Sequence, residues 1–517
     1  FAHGAPAGAI VTTGPGFFNL ITGIAACYYD NVPSVFLCGQ VNRGLNKAAE
    51  FQTKMYGFQE APHAEIAEFI ADTTIKVGTD SELSDALAAI ARISTREANG
   101  PLVLEIQDDF QRQPFAANAD AGKVKAVDAG AVPGAAIDVD GIAQALASSE
   151  RPVFAVGGGV WRTDDNARAL IDRLARDFSV PTVFSWGGQR LQNYENPFHV
   201  GLFGGHSPGA GNSLVQQSDL MIAVGLNLLQ HQAGKAHDIF APNARIIAIN
   251  RDTRELARLH TDFGDRLAHC VGDSVETLEG LETKLRSEKS NTIYWPEYGS
   301  TESAPDWRKQ TNPTVSGDIA NHQGVASIAA FLDACPKSYW AFSDAGATLS
   351  WTYQAADQCM SPPISTSFNL HTMGYSLPAA VGAAVSNGCD GVLSISGDGA
   401  FMMNIQELAV ANNLDTPIKI LIIDNEGYGI IRQTQDAFLG GRHFATDIGK
   451  SPNLPPYDLA KLISAFGIET KKGNRAEVGT LAEWLFEPGS GHRAVVVSVD
   501  KAAIVEHTTP NNQPLVF

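Results

Sequence analysis

The sequence lacks the residue patterns that mark several classes of protein. Its six cysteines lie far apart and no two have C-x-x-C spacing, so neither a disulfide framework nor a zinc site is indicated and a reducing compartment is favoured. No uninterrupted apolar run is long enough to span a bilayer. Basic residues are in deficit, with 37 Lys and Arg against 56 Asp and Glu. The resulting net charge of −19 disfavours nucleic acids and anionic membranes as partners.

The overall composition is that of ordinary globular domains, with 44% apolar and 18% charged residues. A chain of 517 residues suits two to four domains of roughly 100–200 residues each. Short β-branched runs alternate with helical periodicity, which is typical of parallel α/β sheets. We therefore predict an α/β fold with three doubly wound parallel-sheet domains.

Two stretches with few large apolar residues separate the predicted sheets. Residues 115–136 are rich in Ala, Gly and Asp, and residues 284–316 carry Ser, Asn, Pro and Thr with weak periodicity, so both are interpreted as linkers. The predicted domains are therefore 1–115, 137–283 and 317–510. Their predicted strands are Ala9–Thr13, Ser34–Cys38, Leu102–Gln107, Arg151–Val156, Leu220–Val224, Arg245–Asn250, Val392–Ser396, Ile418–Asp424 and Ala494–Val499.

The most informative segment is Gly397-Asp398-Gly399, because an asparagine follows 27 positions after the aspartate (425 − 398) at the end of the next predicted strand. A helix predicted over Asn404–Asn413 connects the two strands, which makes them parallel and brings their carboxyl ends to one edge, where open α/β sheets bind ligands. A lone Gly-Asp-Gly would indicate only a turn. With Asn425, the carboxylate, the amide oxygen and a backbone carbonyl suit a Mg²⁺ ion that keeps diphosphate oxygens among its ligands.

Residues 397–408 together with Asn425 resemble the diphosphate-binding motif of thiamine-diphosphate-dependent enzymes, and within that family they are most similar to the acetolactate synthase large subunit. The resemblance implies Mg²⁺ held by Asp398, Asn425 and the carbonyl of Gly427. Where the family motif has a pair of asparagines, the first position here is Asp424. The residues that the resemblance assigns to cofactor binding in this region are Gly397, Asp398, Gly399, Ala400, Asn425, Gly427, Tyr428, Gly429 and Ile430.

Two segments upstream agree with this resemblance. Residues 371–380 are similar to the family segment in which a methionine supports the bent cofactor, which implies that role for Met373 and a cofactor contact for His371. From the residues alone, a methionine that fills a gap in the core is the alternative. Residues 344–347 resemble a loop that meets the diphosphate, which implies contacts from Ala345, Gly346 and Ala347.

The front of the chain resembles the pyrimidine-binding domain of the same family, through the segment 12–16 and the later Gly39-Gln40-Val41. The residues alone indicate a strand, a glycine turn and a helix. The resemblance implies cofactor contacts from Gly14, Pro15 and Asn19, and a catalytic, substrate-side role for Phe58 and Gln59. A polar residue at a helix start explains Gln59 equally well. The sequence begins at Phe1, and we expect the family's catalytic glutamate upstream of it.

The activity implied by the resemblance is that of a carboligase. It would use thiamine diphosphate and Mg²⁺ to decarboxylate a 2-oxo acid, pyruvate, and would transfer the two-carbon unit to a carbonyl acceptor, as acetolactate synthase does in branched-chain amino acid biosynthesis. Three alternatives stay open: a decarboxylase or lyase that releases an aldehyde, a carboligase with a non-standard acceptor, and a non-catalytic paralogue. The second arises because Thr434 stands where acetolactate synthases carry a tryptophan.

The resemblance also bears on a flavin and on assembly. Acetolactate synthases bind FAD in the middle domain, and Gly157–Gly159, Gly201–Gly205 and Asp252 resemble parts of that site. Glycines after strands are equally typical of any nucleotide-like α/β domain, so a domain without FAD is the alternative. The resemblance further implies a homodimer or homotetramer with shared active sites, and leaves a regulatory subunit open. We expect a cytoplasmic protein that binds neither nucleic acid nor membrane.

Overall fold

Three parallel sheets organise the chain in a computed structural model that describes residues 6–94, 100–114, 132–161, 166–207, 209–288, 295, 322–386, 388–448, 456–506 and 513–515. The chain divides into two compact units, residues 1–128 with 367–372, and residues 129–366 with 373–517. The first unit contains one sheet and the second contains two. The predicted α/β fold with three parallel sheets flanked by helices is confirmed.

The sheet of the first unit has four parallel strands in the order β1-β2-β4-β3. The strands are β1 Ala7–Val11, β2 Ser34–Gln40, β3 Thr73–Val77 and β4 Pro101–Gln107. The helices are Pro15–Tyr29, His63–Ala67, Asp80–Ser94 and Asp108–Gln111. Phe17, Ile24, Phe36 and Val103 form a core between the sheet and the first helix. In the central pairing, Cys38 of β2 lies opposite Glu105 of β4.

The second sheet has seven parallel strands in the order β5-β11-β10-β9-β6-β7-β8. The strands are β5 Ala135–Ala136, β6 Pro152–Val156, β7 Thr182–Phe184, β8 His199–Leu202, β9 Leu220–Val224, β10 Arg245–Asn250 and β11 Leu267–Val271. The helices are Val139–Ser148, Gly158–Trp161, Ala167–Phe178, Gly209–Gln217, Gln230–Ala233, Thr253–Phe263 and Ser274–Ser287, with 3₁₀ turns at Trp186–Leu191 and Gly264–Arg266. Every residue of β6 and β9 is buried, because helices cover both faces of a parallel sheet.

The third sheet has six parallel strands in the order β13-β12-β14-β15-β17-β16. The strands are β12 Trp340–Ser343, β13 Ile364–Ser365, β14 Val392–Gly397, β15 Ile418–Asp424, β16 Glu469–Asn474 and β17 Arg493–Ser498. The helices are Gln323–Ala334, Ala347–Ala356, Ser376–Val385, Asp398–Phe401, Leu408–Ala411, Gly429–Leu439, Leu459–Ala465 and Val478–Leu485, with 3₁₀ turns at Ile405–Glu407 and Arg475–Glu477. Among the residues that the structure describes, no helix is long and apolar enough to cross a membrane.

Local boundaries differ from the sequence prediction at several strand ends, in one helix and in the linkers. The first strand spans Ala7–Val11 instead of Ala9–Thr13, and other strand ends are shifted by one or two residues. The predicted helix 404–413 is broken, because Asn404 has a non-helical backbone (φ −137°) and its side-chain amide donates to the carbonyl of Gly374 at 2.8 Å. The predicted linkers overlap regular structure at β5 and at the end of the helix Ser274–Ser287, and the remainder of both lies outside the described residues apart from Val132–Gly134, Glu288 and Trp295.

Candidate cofactor and metal site

The carboxyl ends of β14 and β15 lie side by side, with Gly397 paired to Ile423. Asp398 follows directly and is 1% exposed. Its Oδ1 accepts the backbone N–H of Gly399 at 2.7 Å, and its Oδ2 accepts that of Gly427 at 2.8 Å. The aspartate therefore ties the two strand ends together, as the 27-residue spacing (425 − 398) predicts.

The electrostatics of this strand edge are strongly acidic. Burial and the neighbouring carboxylate of Asp424 raise the pKa of Asp398 to about 7, against the lowering effect of the hydrogen bonds from Gly427 and Gly399. The ion pair partner of Asp424 is Lys472, at 3.7 Å. Two adjacent carboxylates of which one is buried form an arrangement that a bound cation stabilises.

The loop after β15 presents Asn425 and Gly427 at the same edge. Asn425 is buried, and its carbonyl accepts a hydrogen bond from Arg432 Nη2 at 2.9 Å. Gly427 has φ +144°, and a Cβ there would lie 1.9 Å from the carbonyl oxygen of Thr446, so only glycine fits. Arg432 also pairs with Asp447 at 2.9 Å and thereby fixes the loop from both sides.

Two helices begin at this edge without a side-chain cap. They are Ala347–Ala356, preceded by Gly346, and Gly429–Leu439, preceded by Tyr428. A Cβ built on Gly346 would be 3.9 Å from Ile430, so the two helix starts are adjacent. Free backbone N–H groups at a helix N-terminus attract phosphate groups. Of the predicted residues, Gly346 and Ile430 are therefore close neighbours, and Ala347 and Gly429 are the first residues of the two helices.

Asp344 holds the loop beside this position. Its Oδ1 accepts the N–H groups of Ala345 and Gly374, both at 2.9 Å, and its Oδ2 accepts both the N–H and the hydroxyl of Ser376. Burial raises the pKa of Asp344. Met373 lies next to the fixed Gly374 and is 40% exposed, so it does not fill a gap in the core.

The remaining predicted residues of this edge are also placed by the structure. Ala400 is buried in the turn Asp398–Phe401. A Cβ on Gly399 would lie 2.3 Å from the ring of Tyr428, so these two pack closely. His371 belongs to the segment 367–372, which groups with the first unit.

The sequence reasoning missed Arg432 and gave Asp344 no role of its own. Arg432 is a charged residue on an otherwise ordinary helix, and its burial depends on Asp447, fifteen positions away (447 − 432). Apart from the adjacent Ala345, the partners of Asp344 lie thirty or more residues ahead. Neither contact has a local sequence signal, apart from the coincidence of Asp344 with the family loop.

In the first unit, the turn between β1 and the first helix brings Gly14 against Gln59. A Cβ on Gly14 would lie 2.7 Å from the Gln59 carbonyl oxygen. Pro15 opens the helix, Asn19 lies on its exposed side, and Phe58 is 81% exposed. A separate cavity of about 650 Å³ opens at the carboxyl ends of β1, β2 and β4. Its polar lining includes Thr12, Thr13, Gln40, Asn42 and Asp108.

The glycines of the middle sheet are explained by close backbone packing. A Cβ on Gly157 would lie 2.1 Å from the carbonyl oxygen of Gly225, and the N–H of Gly159 donates to that oxygen at 3.1 Å. Asp252 caps the helix Thr253–Phe263 by accepting the N–H of Arg254. These contacts are satisfied within the protein and need no flavin to explain them.

Taken together, parallel sheets, an acidic strand edge and two uncapped helix starts are the features of an α/β enzyme that binds a cofactor with a diphosphate group. Three family models match the chain. They are the thiamine pyrophosphate enzyme N-terminal TPP binding domain over residues 1–66, the central domain over 139–281 and the C-terminal TPP binding domain over 344–499.

Relatives of known name extend over most of the chain. The acetolactate synthase isozyme 2 large subunit of Escherichia coli is 30% identical over 95% of this chain and 84% of its own length. A probable acetolactate synthase large subunit of Methanocaldococcus jannaschii is 29% identical over 90% of this chain and 76% of its own. The acetolactate synthase large subunit of Porphyra purpurea is 29% identical over 89% and 74%. The chain belongs to the thiamine pyrophosphate enzyme family.

Proposed function

We propose that the protein is a carboligase that uses thiamine diphosphate and Mg²⁺ to decarboxylate pyruvate and to transfer the two-carbon unit to a carbonyl acceptor. The observation that carries the proposal is the buried Asp398, held between two strand ends by Gly399 and Gly427 beside a second carboxylate. The named relatives, all acetolactate synthase large subunits or probable ones, support the reaction class.

Each group at the edge has a role in this proposal. Asp398, Asn425 and the carbonyl of Gly427 would hold Mg²⁺, since oxygen ligands of this kind suit that ion. The helix starts at Ala347 and Gly429 would bind the diphosphate. When bound, the cofactor supplies a nucleophilic carbon and accepts the electron pair released by decarboxylation. Met373 would support the cofactor, while Phe58 and Gln59 would face the substrate.

Thr434 favours a second candidate function, which differs from the first in its carbonyl acceptor. Its side chain is exposed and its hydroxyl donates to the carbonyl of Ile430 at 2.9 Å. A small polar residue leaves more room on this face of the helix than the tryptophan of the family would. A carboligase with a larger or more polar acceptor is therefore the second candidate, and an aldehyde-releasing decarboxylase is the third.

We further propose the domain boundaries 1–115, 137–283 and 317–510, because each contains one of the matched family models. A homodimer or homotetramer with shared active sites and a cytoplasmic location complete the proposal. FAD binding by the middle domain is retained as a hypothesis. It is tested by measuring the absorption of the purified protein at about 450 nm, where a bound flavin absorbs.

The function is tested by incubating full-length protein with pyruvate, thiamine diphosphate and Mg²⁺, and by assaying acetolactate and acetaldehyde separately. Acetolactate supports the standard acceptor, and release of acetaldehyde alone contradicts the carboligase. If neither accumulates with pyruvate alone, a panel of added aldehydes and ketones tests the non-standard acceptor. Omission of Mg²⁺ is the control, since product formed at the same rate without a divalent cation would contradict the metal site.

A further inference from the structure

A cluster of buried polar side chains lies in the first unit, beneath the turn at Gly14. His63, Glu105 and Gln40 are 0%, 2% and 3% exposed. They come from a helix start, from β4 and from β2 respectively. Burial of three polar side chains is costly unless each is hydrogen-bonded, so the cluster requires a function in folding or in the site.

His63 connects the cluster to the turn. The N–H of Gly14 donates to His63 Nε2 at 2.8 Å. On the other side of the ring, Nδ1 lies 3.3 Å from Glu105 Oε2 and 3.2 Å from the amide nitrogen of Gln40. Because Nε2 accepts a hydrogen bond, the proton of the neutral ring is assigned to Nδ1, so the Gln40 amide cannot donate there and the carboxylate of Glu105 is the acceptor that faces this proton. The carboxylate thereby fixes both the orientation and the tautomer of the imidazole.

The other contacts of the cluster converge on the same place. Glu105 Oε2 also accepts the N–H of Ala64 and the amide of Gln40, each at 3.3 Å. The amide of Gln40 donates more closely to the carbonyl of Ala61, at 2.7 Å. Gln40 Oε1 accepts the hydroxyl of Thr13 at 3.3 Å, and Thr13 lines the 650 Å³ cavity together with Gln40.

The turn at Gly14 also fixes the position of Gln59. The hydroxyl of Thr13 lies 3.1 Å from the Gln59 carbonyl, and its single hydrogen can be donated either to this carbonyl or to Gln40 Oε1. Gly14 and Gln59 both have positive φ, +63° and +62°, and they pack so closely that no Cβ fits on Gly14. Glycine adopts such backbone readily, whereas at Gln59 it is maintained only where its surroundings impose it. The hydrogen bond from Gly14 to His63 is one of the contacts that hold this pair in place.

We propose that His63 is a positioning residue, which holds the Gly14 turn and through it Gln59 in the arrangement that the reaction requires, with Glu105 setting the tautomer. This inference rests on the proposed function, because it places Gln59 next to substrate. The imidazole itself touches neither cofactor nor substrate and acts through the N–H of Gly14.

The hydrogen bond to Gly14 needs an acceptor at the position of Nε2, and this acceptor is the feature that a variant can remove or keep. Glu105 on β4, Gln40 on β2 and the ring of Phe17 at 5.0 Å surround the imidazole, and Glu65 of the same helix lies near it. Lys76 on β3 is the nearby cation and pairs with Glu65 at 2.6 Å.

The test compares His63→Gln with His63→Leu in the full-length protein. The glutamine oxygen can replace Nε2 as acceptor and does not titrate, whereas leucine fills the space without an acceptor. We expect His63→Gln to keep kcat/KM for pyruvate within about threefold at pH ~8, and His63→Leu to lower it at least about tenfold, mainly through kcat.

Two further variants sharpen the test. Glu105→Gln should lower kcat less than His63→Leu does, because the glutamine oxygen can still accept the proton on Nδ1 and orient the ring. Glu65→Gln, on the same helix but exposed, is the matched control and should reproduce the wild-type kcat and KM. A His63→Gln protein as impaired as His63→Leu would overturn the proposal. So would a His63→Leu protein that only melts at lower temperature, with the kcat of wild type.

Hydrogen exchange separates failure of this inference from failure of the proposed function. Exchange at the amide of Gly14 should be faster in His63→Leu than in wild type and close to wild type in His63→Gln, without any substrate present. If wild type consumes no pyruvate, the proposed function fails while the exchange result still tests the turn. If wild type is active and His63→Leu matches it in exchange and in kcat, this inference alone fails.

Discussion

The pKa values of two buried carboxylates, Asp398 in the third sheet and Glu60 in the first unit, are shifted in opposite directions. Burial and the neighbouring Asp424 raise the pKa of Asp398 to about 7. Burial would also raise the pKa of Glu60, but backbone N–H groups of Ala48, Gly57 and Tyr56 lower it below its usual value. The backbone N–H groups of its own loop donate enough hydrogen bonds to stabilise the charged form of Glu60. Asp398 accepts too few hydrogen bonds to stabilise its charge next to another carboxylate. A buried carboxylate with too few hydrogen-bond donors to stabilise its charge indicates a ligand site.

The largest effect should come from removing the charge of Asp398. We expect Asp398→Asn to weaken thiamine diphosphate binding in the presence of Mg²⁺ by roughly 100-fold, because loss of a metal-directed oxygen anion removes the strongest ligand. The protein without cofactor should stay folded. Titration calorimetry measures the affinity, and Asp415→Asn, an exposed acid on the connection to the next strand, is the control. Equal affinity in the two variants would contradict the metal site.

The next effect concerns the loop that carries Asn425. Arg432→Met should lower the free energy of unfolding by about 2–3 kcal/mol, because it leaves Asp447 without its cation and the Asn425 carbonyl without its donor. Urea unfolding measures the loss. Arg442→Met, at an exposed position of the same region, should change stability by no more than about 0.5 kcal/mol.

A smaller effect is expected for Glu60, whose charge is stabilised by backbone hydrogen bonds. Glu60→Gln turns one side-chain acceptor into a donor that faces backbone N–H groups, since both oxygens of Glu60 accept. It should destabilise the protein by about 1–2 kcal/mol without altering Mg²⁺ affinity. Glu50→Gln, exposed on the same loop, is the matched comparison in urea unfolding. A loss of Mg²⁺ affinity in Glu60→Gln would erase the distinction between the two carboxylates.

The smallest effect is a pH dependence. A carboxyl group whose pKa is raised on folding binds a proton more tightly in the folded state, so its ionisation destabilises the fold. Without cofactor, the melting temperature of wild type relative to Asp398→Asn should therefore fall as pH rises from about 4 to about 7. Mg²⁺ with thiamine diphosphate should remove the difference, because ligand binding stabilises the folded state. A difference that rises with pH would reverse the assigned direction.

The strand edge could be predicted from sequence because its geometry follows from the connection. Buried strands joined by a crossover must be parallel, so Asp398 and Asn425 had to meet at one edge. The three sheets follow from the same alternation of strand and helix. The break at Asn404 could not be predicted, because the competing hydrogen bond goes to Gly374, thirty positions earlier (404 − 374).

The tie between His63 and Gly14 was likewise invisible in the sequence. Glu105 lies in a strand that is otherwise apolar, and its partner His63 is forty-two positions earlier (105 − 63). A buried acid in a parallel strand is the one local sign, and it names no partner. The role of Gln59 depends on backbone geometry at Gly14, which no side-chain pattern encodes.

The carboxylate of Asp344 has a consequence for how the cofactor arrives. Four hydrogen bonds to one side chain join the start of one helix, at Ala345, to the loop at Gly374 and Ser376. The backbone on this side of the proposed diphosphate site is therefore held by hydrogen bonds within the protein. Association should cost little conformational entropy here, and its rate should reflect diffusion and charge more than rearrangement of the pocket wall.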